Sequence, residues 1–194
     1  MTSPKPISNA NTYQLKLTLQ ESHPPIWRRF LVRGHTTLGE LHWILQVVMG
    51  WDNDHMHQFH VGKKLYVDME MAETSPWQTE DLDESSVPLA SVARRPQAKL
   101  IYEYDFGDSW MHELRVEKIV PPEPHTHYPV CLAGSGACPP EDSGGIYGYY
   151  DKLNAIRDPR HPEHDDVIEW MGADFNPEAF DLGRINMALK KIRR

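Results

Sequence analysis

The residues with most chemistry to offer are histidines and acids near the ends of two strand-like segments. His55-Met56-His57-Gln58-Phe59-His60 places His55 and His57 two apart, and on a strand that spacing puts both imidazoles on one face. Paired imidazoles take a divalent metal once a carboxylate or thiolate joins them. Asp105, Asp108, His112, Cys131 and Cys138 are the residues able to join. The candidate metal set is therefore His55, His57, His112, Cys131 and Cys138, with a divalent cation as the implied cofactor. No standard zinc spacing supports it: there is no CxxC, and His112-Glu113 runs into Leu114, Arg115 and Val116 instead of completing HExxH. The competing reading is strand-edge histidines hydrogen-bonded to nearby acids.

A second set is Asp105, Asp108, Trp110, Tyr147 and Tyr149, read as binding residues. Asp105 and Asp108 flank Gly107; two such carboxylates can work as an acid–base pair or hold a hard cation. They can equally cap a tight turn, because Asp accepts hydrogen bonds from the backbone two residues on. Trp110 is expected to be buried behind that turn. Tyr147 and Tyr149 follow Gly144-Gly145, so mobile backbone stands beside rings that can stack on a planar ligand or pack the loop onto the protein. Asp52-Asn53-Asp54 resembles the start of an EF-hand loop, but Met56 occupies the fifth position and no glycine follows. Gly134-Ser135-Gly136 is neither a P-loop nor a nucleophile elbow.

These groups need elements to hold them. Tyr13, Leu15, Leu17 and Leu19 alternate with polar residues and predict a half-buried strand; after His23-Pro24-Pro25, residues 26–32 predict its hairpin partner. Thr37-Leu38-Gly39-Glu40 fits a capping box. Leu38, Leu41, Ile44, Leu45, Val48 and Met49 give the helix behind it one apolar face, and Gly50 a stop. Short strands are expected over 57–61 and 64–69, an acidic surface loop over 70–86, and a helical turn within 87–93. A second hairpin is expected from 99–106 and 111–120. Residues 121–148, rich in proline and glycine, read as one long ordered loop. Helices are expected over 147–157, from Pro162 onward, and from an Asp181 N-cap to about 192.

The order ββαββββ followed by helices predicts an α+β fold with a mixed or antiparallel sheet and a ββαββ, β-grasp-like opening. Residues 1–12 read as a disordered leader and 13–194 as a single domain. Lys plus Arg total 20 against 28 Asp plus Glu, a formal charge of −8, which repels a phosphate backbone. Small basic groups stand at Arg28, Arg29 and Arg33 and at the C-terminus. No run approaches the roughly 20 apolar residues of a membrane span, and no apolar segment follows the N-terminus. Two cysteines do not make a disulfide scaffold, so a reduced, cytoplasmic setting is the expectation.

Several phrases taken together resemble the plasmid pRi ORF-3-like family. They are Pro25-Ile26-Trp27-Arg28-Arg29, Met49-Gly50-Trp51, His55-Met56-His57-Gln58-Phe59, and Tyr102-Glu103-Tyr104-Asp105-Phe106-Gly107-Asp108-Ser109-Trp110 with His112. Tyr128-Pro129-Val130-Cys131 and Ala137-Cys138-Pro139-Pro140-Glu141-Asp142 with Gly144-Gly145 complete the set. The resemblance spans about residues 13–192. It implies a compact α+β domain and carries a label linking members to mobile elements as passenger or resolvase-like proteins. A serine resolvase needs an N-terminal nucleophile amid arginines and a basic helix-turn-helix, and this acidic chain shows neither. The family pattern has a cysteine where this chain has Ser143; if that loop holds a metal in relatives, this chain is one thiolate short. The reading that follows is a non-enzymatic binding module for a protein or small ligand, linked to mobile elements by the label. The alternatives are a metal-dependent hydrolase using His57, Asp105, Asp108 and His112, and an accessory to DNA transactions.

Overall fold

Alternation builds the centre of the fold. In β1 (Thr12–Leu19) the side chains of Tyr13, Leu15, Leu17 and Leu19 are buried while Gln14, Lys16 and Thr18 are half-exposed. β2 (Trp27–Arg33) returns antiparallel, with Leu15 opposite Phe30 and Tyr13 opposite Val32. The capping box of α1 (Leu38–Met49) forms as expected: Thr37 Oγ1 accepts from the Glu40 amide, Glu40 accepts from the Thr37 amide, and Gly50 ends the helix in the left-handed region at φ 102°. The structure, a computed structural model, describes residues 10–69 and 82–192.

Among those residues one sheet runs in the order β5-β4-β3-β6-β7-β1-β2-β8. β3 (His57–Val61) and β4 (Lys64–Val67) form a hairpin, as do β6 (Lys99–Tyr104) and β7 (Trp110–Val120). The fold is α+β, and every pairing is antiparallel except the short parallel one between β4 and β5 (Leu82–Asp83). The opening ββαββ order holds along the chain, but β6 and β7 stand between the two hairpins it contains. Buried apolar residues of β1, β2, α1, β6 and β7 share one interior with Phe59, Leu89 of α2 (Leu89–Val92) and Tyr149. Each fully buried Leu or Phe contributes about 1.5–3 kcal/mol.

Five expectations are corrected. The leader was expected to reach residue 12, yet Thr12 already opens β1; residues 1–9 lie outside the described residues. The acidic loop over 70–86 lies outside them as far as 81, but its end is ordered: β5 is followed by a 3-10 turn, Glu84–Ser86, capped by Asp83. The 121–148 loop contains β8 (Val130–Ser135), which pairs with β2. Its single glycine, Gly134, lies against the Phe180 ring, where a Cβ would come within 2.4 Å, and the outer edge of β8 is covered by α5 (Leu182–Leu189). There Asn186 accepts from the Cys131 amide at 2.8 Å and donates to its carbonyl at 3.0 Å. The helix expected from Pro162 starts later, as α4 (His164–Met171), while Asp181 does cap α5. The helix expected over 147–157 begins two residues earlier, as α3 (Gly145–Arg157).

The basic group on β2 is engaged within the fold. Arg28 is buried and donates from Nε to the Val48 carbonyl at 2.8 Å and from Nη1 to the Ser135 carbonyl at 3.0 Å. Arg29 pairs with Glu117 at 2.6 Å, and Arg33 lies over the Tyr128 ring.

Candidate functional site

Three connections converge at one end of the sheet: residues 50–56 after α1, the turn 105–109 between β6 and β7, and the loop 136–144 between β8 and α3. The last of these is tied down at several points. Trp51 Nε1 donates to the Pro139 carbonyl at 3.0 Å. Tyr104 Oη donates to Glu141 at 2.6 Å, and the Asp52 amide donates to the same carboxylate at 3.2 Å. The Gly144 amide donates to Asp108 at 3.0 Å. Burial, reinforced by Glu141, pushes the Tyr104 hydroxyl up from its ordinary range. Gly145 has φ +67°, and a Cβ there would stand 2.5 Å from the Asp108 carbonyl oxygen; a side chain would drive helix and turn apart.

Between these anchors lie His55, Asp105 and Asp142, whose ligand-type atoms all fall within 4.8 Å of one another. His55 Nε2 is 3.4 Å from Asp142 and 3.7 Å from Asp105 Oδ2. That nitrogen is closed to solvent and has no hydrogen-bond partner among the described residues. Asp105 adopts φ 57°, and its Oδ1 accepts from the Gly107 amide at 2.8 Å, so it is the turn-capping residue the sequence allowed. Its Oδ2 takes no hydrogen bond among the described residues and faces His55. The Asp142 side chain is 76% exposed. Glu141, Asp108 and Asp52 add further carboxylates to the same rim.

The other histidines are interior. His42 and His57 stack face to face, centroids 3.5 Å apart and planes 6° from parallel. Gln46 donates to the Tyr102 oxygen, Tyr102 lies 2.8 Å from His42 Nδ1, and His42 Nε2 lies 2.7 Å from Asn53 Oδ1. His57 Nε2 lies 2.9 Å from Glu84. Burial, aided by the adjacent His57, holds His42 down at about 3. His112 is wholly buried against Trp51 and Tyr102; it donates from Nδ1 to the Trp110 carbonyl, and burial holds it at about 4.

The expected metal set is thus dispersed. His55 precedes β3 and sits on the rim, while His57, the first residue of the strand, enters the layer beneath α1. The shared-face argument fails because His55 is not strand. Cys131 is buried at the β8 edge, and burial raises its thiol and that of Cys138. Of the expected binding residues, Asp105 and Asp108 are at the rim. Trp110 is 1% exposed within the core, as expected of it, and therefore offers no surface. Tyr147 is 73% exposed and Tyr149 is 1% exposed: two residues apart on α3 they point different ways, so they do not form one stacking platform. Sequence reasoning missed Asp142, Glu84 and His42. Only His42 had a signal, since His42 and Gln46 are four apart on the same side of α1. Asp142 comes from a loop with no ligand spacing. Ser143 is buried and its hydroxyl donates to the Pro140 carbonyl.

The fold and this rim define an α+β sheet protein with an acidic, histidine-bearing face made of three connections. The chain belongs to the plasmid pRiA4b ORF-3-like protein family, whose model matches residues 11–184. It is 35% identical over 188 residues to an uncharacterized protein, y4hQ, of Sinorhizobium fredii, covering 94% of this chain and 93% of that protein. It is also similar to the crystal structure of MM3350, a protein of unknown function from Methanosarcina mazei Go1. The TM-score there is 0.78 at 34% identity, over 90% of this chain and 97% of the other. Among the described residues, no helix is long and apolar enough to cross a membrane.

Proposed function

We propose that this protein is a non-enzymatic binding module, acting as one unit over residues 13–194, that takes a cationic ligand on the rim formed by residues 52–55, 105–109 and 139–144. The observation that carries the reading is His55 Nε2, a polar atom closed to solvent and without a hydrogen-bond partner among the described residues, facing two carboxylates. A buried polar atom left in this state costs about 1–3 kcal/mol, and ligand-binding sites are where such a cost is recovered. Asp52, Asp108 and Glu141 around it favour positive charge. The hydrolase alternative finds less support: His57 and His112 lie in the interior, engaged with Glu84 and the Trp110 carbonyl, where substrate does not reach.

The test maps amide shifts by NMR while a short arginine-containing peptide is titrated into the full chain at low salt. Saturable shifts confined to the three connections, lost in Asp142→Asn, are expected. Shifts scattered over the surface, or none, would sink the reading.

A further inference from the structure

We infer that the cation is a divalent transition-metal ion, held directly by His55 Nε2, Asp105 Oδ2 and Asp142 Oδ1. This rests on the rim being the binding site, and it narrows the ligand class.

Distances come first. Ligands at about 2.1 Å from a metal, set at tetrahedral or octahedral angles, are roughly 3.0–3.4 Å apart. His55 Nε2 stands 3.4 Å from Asp142 Oδ1 and 3.7 Å from Asp105 Oδ2. A formed N–H···O bond is about 2.7–3.2 Å, so these separations are long for hydrogen bonds and close to the edges of a coordination polyhedron.

Burial is independent of those distances. The Asp105 side chain is only 10% exposed. Its Oδ1 is held by the Gly107 and Asp108 amides, which aims the other oxygen at His55. His55, with its side chain 27% exposed, keeps Nε2 turned inward, closed to solvent and without a hydrogen-bond partner among the described residues. Asp142, with its side chain 76% exposed, supplies the way in: it can swing outward, admit the ion and close on it.

The ligand types choose the metal class. Imidazole with carboxylates suits zinc, iron, cobalt and nickel, whereas calcium and magnesium prefer all-oxygen shells. Three protein ligands leave positions open to water or to a partner's donor group. The backbone supports the set: Asp105 and Asp142 both adopt φ 57°, and Asp142 stands between Glu141 and Gly144, which Tyr104 and Asp108 hold in place.

The experiment uses the full chain, stripped with a chelator and dialysed, and titrated calorimetrically with Zn2+ at neutral pH. Co2+ provides an absorption spectrum and Mg2+ the contrast. One Zn2+ per chain is expected, with Mg2+ not competing. His55→Ala and Asp142→Asn should each weaken binding about 10-fold or more, with circular dichroism unchanged. Equal Zn2+ affinity in both variants would place the ion elsewhere and overturn the inference, as would the absence of saturable Zn2+ binding in the wild type. If Zn2+ fails but the arginine peptide still shifts the rim amides, the metal is wrong and the binding rim stands. If neither moves them, both readings fall.

Discussion

His55 and His57 are two residues apart and belong to different chemical worlds. His57 stacks on His42 beneath α1, within hydrogen-bond distance of Glu84. His55 stands where three connections meet, its Nε2 facing carboxylates without a hydrogen bond. The interior layer reads as architecture, although among the described residues Thr12 Oγ1, Tyr13 Oη, Gln46 Oε1, Glu84 Oε2, Trp110 Nε1 and His112 Nε2 are also unpartnered there. What separates the regions is geometry: the rim's unpartnered nitrogen has two carboxylates converging on it, and an exposed one to admit a ligand. Trp110 and His112, which carry unpartnered nitrogens in the interior, are 1% and 0% exposed.

Acid should expose this contrast most strongly. His42 and His112 are held at about 3 and about 4 in the folded protein, below the ordinary 6.5. The unfolded chain therefore binds more protons than the folded one between those values. Stability present above pH 6.5 is lost as pH falls toward 4, by roughly 1.4 kcal/mol per pH unit for each histidine. Urea denaturation from pH 7 to 4.5 should show the midpoint falling steadily, and more shallowly in His42→Gln. A flat profile would mean that the interior histidines are not held neutral by burial.

Next in size is Trp110→Ala, expected to cost about 3–5 kcal/mol by chemical denaturation because it empties a fully buried site. A loss under about 1 kcal/mol would show that the interior adapts as readily as a surface. Asp105→Ala should cost about 1 kcal/mol, since it removes the cap of the β6–β7 turn. His55→Ala should change stability least, within about 0.5 kcal/mol, because the relief of removing an unpartnered nitrogen is offset by loss of the ring's edge contact with Tyr104. If His55→Ala were instead as costly as Trp110→Ala, the division between rim and interior would collapse.

Much of the fold was legible. The alternation of Tyr13, Leu15 and Leu17, the capping box at Thr37 and Glu40, and the Asp181 cap are local signals, and each produced its element. β8 was missed because proline and glycine dominate its surroundings, and pairing with β2 overrides that local preference. Of the site, Asp105 was legible as a turn cap and as a candidate ligand. The grouping of histidines was not, because period two assigns a face only within a strand, and the strand begins at His57.

The sequence by itself determined the α+β class, the shared apolar interior of two ribbons and one helix, and the acidic balance of the surface. These follow from periodicity, caps and charge, which act over a few residues or over the whole chain. Only the tertiary structure decided that Asp142 meets His55 and Asp105, 37 residues from the nearer of them in sequence (142 − 105). That meeting depends on Trp51, Tyr104 and Asp108 each holding the 136–144 loop in place. Bonds between segments so far apart leave no spacing in the chain to read.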